Sequence, residues 1–92
     1  MADIGIVAVD SPLAPEQVLA ELGRALGKPV VNGEVKLSPF QSIDADAEDL
    51  GDGFNITLGV WDGRGQREAN AAAVAIAADL KQRGMRAEFQ PL

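Results

Sequence analysis

An α+β fold is predicted by three observations. Apolar residues alternate with period two near both ends and in the middle of the chain. Two stretches between them repeat with helical period, and proline or glycine signals bound those helical stretches. At 92 residues the chain makes one domain with a modest core.

Ile4 to Val9 reads as the first strand, with Ile4, Ile6 and Ala8 on one side and Val7 and Val9 on the other. Being apolar on both sides suits a central strand. Asp10-Ser11-Pro12 breaks it, with Asp10 read as a turn or N-cap residue. A helix is predicted over Pro15 to Leu26. Proline fits its first turn, Glu16 complements the N-terminal dipole, and Val18, Leu19, Leu22 and Leu26 form one stripe. Gly27 supplies the C-terminal cap and Pro29 prevents continuation.

Val30 to Leu37 reads as a second strand. Asn32-Gly33 interrupts it, and that pair is the strongest short hairpin signal. Because the apolar phase of Val31, Val35 and Leu37 survives across the glycine, one strand with a bulge is favoured over a tight hairpin. Residues 38 to 53 are read as an acidic connecting loop. Phe54, Ile56, Leu58 and Val60 then alternate with Asn55, Thr57, Gly59 and Trp61, the clearest strand in the chain.

After the turn Asp62-Gly63-Arg64-Gly65, an Ala-rich helix is predicted from Gln66 to about Arg83. Ala69, Ala72, Ala73, Ile76 and Leu80 share a face small enough to lie close to a sheet, and Gly84 caps its end. Met85, Ala87 and Phe89 alternate into a last strand that Pro91 ends. The resulting order, β-α-β-β-α-β, packs most economically as a ferredoxin-like split βαβ sandwich. It has four antiparallel strands in the order 4-1-3-2 and two helices on one face.

Composition excludes several classes of function. There is no cysteine, histidine or tyrosine, so no disulfide, thiolate metal site, thiol nucleophile or imidazole base is available. The serine and threonine hydroxyls have no histidine to activate them. Asp10 and Asp62 both sit at strand ends, but antiparallel neighbours put those ends about 17–20 Å apart. That is too far for a carboxylate pair acting on one bond. No enzyme activity and no cofactor are expected. A net charge of −6, from 14 acidic and 8 basic residues, opposes binding to nucleic acid or to anionic membranes. No basic, apolar leader is visible at the start, so a cytoplasmic location is expected.

The acidity is concentrated. Asp44, Asp46, Glu48, Asp49 and Asp52 lie between Lys36 and Arg64, a span without a basic residue. Asp44, Asp46 and Glu48 match the first alternating positions of a calcium loop, but Asp49 and Asn55 stand where it needs glycine and glutamate. The segment is therefore read as steering a protein partner, one with basic character, rather than as a metal site. Lys81, Arg83 and Arg86 are expected near it and would answer part of its charge. The sheet side without helices is expected to show Val7, Val9, Thr57 and Trp61, an apolar patch with the residue type most enriched at binding hot spots.

The functional expectation is thus a small acidic module that binds another protein through Val7, Val9 and Trp61 with Asp44, Asp46, Asp49 and Asp52. The same face is compatible with a homodimer. Immunity proteins, antitoxins and phage-encoded antagonists are similar in size and charge. The rival expectation is a regulatory domain holding a small anion at Arg64, Gly65 and Arg67, where a helix begins.

Overall fold

A computed structural model describes residues 3–91 and shows an α+β architecture with two helices packed on an antiparallel sheet. The sheet has six strands rather than the four expected. They are β1 (Ile4–Ser11), β2 (Val30–Val31), β3 (Glu34–Ser38), β4 (Gln41–Asp49), β5 (Phe54–Asp62) and β6 (Arg86–Gln90). The helices are α1 (Pro15–Leu26) and α2 (Gln66–Gln82). The spatial order is β2-β3-β4-β5-β1-β6, with every neighbouring pair antiparallel.

Both extra strands come from the two segments read differently in the sequence. Val30 to Leu37 is a hairpin, not one bulged strand. Asn32 and Gly33 take φ of 52° and 76°, the left-handed pair that a two-residue turn requires. Val30 and Val31 fold back onto Val35 and Glu34. The acidic segment is not a loop but mostly β4, in which Ile43, Ala45 and Ala47 alternate with Asp44, Asp46 and Glu48. A short turn at 39–40 leads into it. A second at 50–53, closed by the Leu50 N–H donating to the Gly53 carbonyl at 2.8 Å, leads out.

The helices have the predicted limits to within a residue. Gln17 accepts the Ala14 N–H at 3.0 Å to close the start of α1. Gly27, at φ 67°, ends it with the Lys28 N–H on the Gly23 carbonyl at 2.8 Å. Ser11, rather than Asp10, organises the approach to α1 by accepting the Leu13 N–H at 2.9 Å.

One row across the sheet shows which side the helices cover. Val35, Ile43, Val60 and Gly5 are successive register partners. A Cβ at Gly5 would lie 2.5 Å from the Ala69 carbonyl oxygen and 2.6 Å from Ala73 Cβ, so α2 rests directly on the β1 backbone. A Cβ at Gly23 in α1 would come within 4.0 Å of Val35. Both helices therefore lie on the face carrying this row. Val18, Leu19 and Leu22 from α1 and Ala73, Ile76, Ala77 and Leu80 from α2 complete the core there. Where β6 has stopped pairing with β1, Gln66 takes its place. Its side-chain amide accepts the Ile4 N–H at 3.2 Å and donates to the Ile4 carbonyl, tying the start of α2 to the start of β1. No helix among the described residues is long and apolar enough to cross a membrane.

Candidate functional site

Period-two alternation puts the other residues of the same strands on the face without helices. In β1 these are Ile4, Ile6, Ala8 and Asp10, and in β5 Asn55, Thr57, Gly59 and Trp61. β4 adds Ser42, Asp44, Asp46 and Glu48, and β6 adds Arg86, Glu88 and Gln90.

Val7 and Val9 do not belong to this face. They are 0% and 1% exposed, buried under the helices beside Leu58 and Ile56, their partners in β5. A strand apolar on both sides does not declare which side is inward, and a shift of one residue exchanges the two. Gly5 decides it. Being in phase with Val7 and Val9, it lets α2 approach only on their side. The apolar residues left on the open face are Ile4, Ile6 and Ala8, all half-buried, next to Trp61, which is 36% exposed.

Trp61 is held in a defined position. Its indole N–H donates to Asp44 Oδ2 at 2.9 Å. Gly59 lies between them, and a Cβ there would fall 2.5 Å from Asp44 Oδ1, 2.9 Å from Ile4 Cδ1 and 3.3 Å from Trp61 Nε1. The missing side chain at 59 thus lets an aromatic ring, a carboxylate and an aliphatic end close over the glycine and fill the space there, a seat that holds the indole beside the carboxylate. The sequence marks this seat only as Gly59 in a strict alternation, with no sign of its Asp44 partner once β4 is read as loop.

The acidic residues divide accordingly. Asp44, Asp46 and Glu48 form a row along the open face beside Thr57, Gly59 and Asn55. Asp49 ends β4 on the helix side and accepts the Gly51 N–H at 2.8 Å, while Asp52 sits in the following turn. Strung along a strand, Asp44, Asp46 and Glu48 do not wrap an ion as a calcium loop does. No cluster of three acidic residues suited to a metal occurs among the described residues. Arg83 pairs with Asp79 on its own helix at 2.9 Å rather than with the acidic segment. At the far end of the face from Trp61, a cleft of about 510 Å³ is lined by Ala8, Asp10, Lys81, Met85, Arg86 and Glu88. Its two carboxylates, Asp10 and Glu88, are matched by two cations, Lys81 and Arg86, so the negative charge of the open face is concentrated on the β4 side.

Arg64 and Gly65 meet a different environment from the one expected, while Arg67 is exposed in the first turn of α2. Arg64 grips the buried Asp62 carboxylate with two guanidinium contacts, Nε to Oδ1 at 3.0 Å and Nη2 to Oδ2 at 2.8 Å. Its backbone N–H adds a third at 2.8 Å. Gln41 donates to Oδ2 at 2.6 Å, and the guanidinium lies 4.6 Å from the centre of the Phe40 ring. The Arg64 hydrogen bond holds the Asp62 carboxyl well below the usual carboxylate range, against the opposing effect of burial. The Glu68 carboxylate lies close to Gly65, so the first turn of α2 already has an anion of its own. This cluster locks the turn before β4 to the turn before α2. Asp10, exposed on the open face, and Asp62, buried on the helix side, stand at opposite ends of the sheet.

No protein-family model matches the chain, and no curated protein or solved structure matches it.

Proposed function

We propose that the chain is a small acidic protein-binding module that docks a basic partner protein on its open sheet face, without catalysis. The observation that carries this reading is the composition of that face. Ile4, Ile6, Ala8 and Trp61 form an apolar strip flanked by the carboxylates of Asp44, Asp46 and Glu48 on one side. Asp10 ends the strip on β1, and Glu88 lies on the other side with Arg86 beside Asp10. Lys36, the cation nearest the β4 row, is engaged by Glu34 at 2.7 Å. Apolar anchors beside a row of one charge sign favour a partner of opposite sign. A second copy of the chain would bring like-charged rows together, which disfavours a homodimer through this face.

The strands β4, β5, β1 and β6 stand in the relative order of a ferredoxin-like split βαβ sheet. We read the β2–β3 hairpin as an insertion that widens such a sheet. Its wide, uncovered side suits inhibition by covering a partner's basic surface, the action expected of an immunity-type or antagonist protein. Against anion binding at Arg64, Gly65 and Arg67 stand the Arg64 Nε and Nη2 already engaged by Asp62 and the Glu68 carboxylate beside Gly65.

The test is site-specific photo-cross-linking in cells that express the protein natively. The probe is placed at Thr57, exposed on the open face, or at Val74, 50% exposed on α2. A protein adduct at Thr57 and none at Val74 is expected. Adducts at both alike, at Val74 alone or at neither would overturn the reading.

A further inference from the structure

We propose that the Trp61 indole and the Asp44 carboxylate, seated side by side over Gly59, receive an arginine or lysine side chain of the protein partner on their solvent side. The proposal rests on the open-face reading above and names the group that the face recognises. Two features point to a cation. An indole face is the best of the aromatic surfaces for attracting a cation. At 36% exposure, Trp61 keeps part of its surface open to solvent. Beside the ring lies the Asp44 carboxylate, with Oδ2 taking the indole N–H and Oδ1 reaching over Gly59. Thus an exposed ring and a carboxylate are fixed side by side before any partner arrives.

The seat is also pre-organised. The ring is bonded to Asp44, and Ile4 Cδ1 closes on the space that a side chain at 59 would fill. Little rotamer freedom remains to be lost on binding. The neighbouring Asp46 and Glu48 extend the negative field along the strand, so a partner carrying successive basic residues in extended conformation would meet successive carboxylates.

Trp61 is the sole tryptophan of the chain, so its fluorescence reports on the seat directly. The probes are a short acetylated, amidated peptide of alternating leucine and arginine and its counterpart with neutral citrulline at every arginine. The arginine peptide is expected to change Trp61 emission saturably and the citrulline peptide not to. Asp44→Asn, which keeps an acceptor for the indole, is expected to weaken binding about fivefold, whereas Glu16→Gln in the first turn of α1, with the same change in net charge, leaves it unchanged. Circular dichroism confirms that both variants are folded.

Equal binding of the two peptides would overturn the cation seat. Equal weakening by the two substitutions would do the same, reducing the effect to net charge, and so would no binding at all. None of these results bears on whether Thr57 cross-links to a partner, so failure of the seat and failure of the docking face are told apart.

Discussion

The two faces of the sheet are built from the same strands and differ in almost every other respect. Beneath the helices, Val7, Val9, Ile56, Leu58 and Val60 are at most 1% exposed. On the other side, one residue along, Ile4, Ile6, Ala8, Thr57 and Trp61 are half-buried or exposed. Close packing on one face leaves the other free of any duty to the core, and that is where charge and an exposed aromatic are tolerated. The sharpest way to break this comparison is to make the same cut on each side of one strand. Leu58→Ala is expected to lower unfolding free energy by about 2–5 kcal/mol in urea titrations. Thr57→Ala should stay within about 0.5 kcal/mol of the parent. Similar losses at the two positions would mean that the open face is as structural as the covered one.

The glycine on the covered face gives the next effect. A Cβ at Gly5 meets the backbone carbonyl of Ala69 and the Cβ of Ala73, and neither can swing away. Gly5→Ala is therefore expected to push α2 off β1 and cost about 1–3 kcal/mol by thermal or chemical denaturation. Asp62 comes third and has a pH signature. Its folded carboxyl titrates below its unfolded value, so its stabilisation is present above about pH 4 and is lost as pH falls from there toward the folded value. Asp62→Asn keeps the shape and removes the charge. The melting temperature of the parent should exceed that of Asp62→Asn at pH 7, and the gap should close as the pH is lowered toward 2. A gap independent of pH would show that the Arg64 pairing adds nothing through charge.

How much of this was legible follows the physics of each segment. The limits of α1 and α2 were readable because their signals are local: Pro15, Gly27, Gly84 and the stripes between them. The strand Phe54–Asp62 was readable because its alternation is strict. β4 has the same alternation, Ile43, Ala45 and Ala47 against Asp44, Asp46 and Glu48, but it is written in alanine and acidic residues. These have low strand propensity, so the segment resembles a solvated loop until neighbours pair with it. The hairpin at Asn32-Gly33 was signalled by the strongest available dipeptide and was outweighed by a phase argument too short to carry it. The inward side of β1 was ambiguous in the chain itself, since either set of alternate residues could form a core. Only the contact of Gly5 with α2 resolves it. Missing β4 also hid the seat at Trp61, because Asp44 reaches the indole only from a paired strand.

The smallest stability effect is expected at the glycine on the open face, and it sharpens the comparison most. A Cβ at Gly59 would be as tightly placed as one at Gly5, 2.5 Å from its nearest neighbour, but that neighbour is the Asp44 carboxylate, the end of a side chain. Ile4 Cδ1 and the Trp61 Nε1 edge are likewise side-chain atoms rather than backbone, so they can give way by the few tenths of an ångström needed. Gly59→Ala should therefore leave unfolding free energy within about 0.5 kcal/mol of the parent, in contrast to Gly5→Ala. Its effect should be on the seat. With a methyl group driven between them, Asp44 and Trp61 separate, the indole emission moves to longer wavelength as the ring meets more water, and the arginine peptide loses affinity. A large loss of stability at Gly59→Ala would show that Trp61 is packed as core, and the distinction between a structural face and a recognising face would fail at the residue on which it most depends.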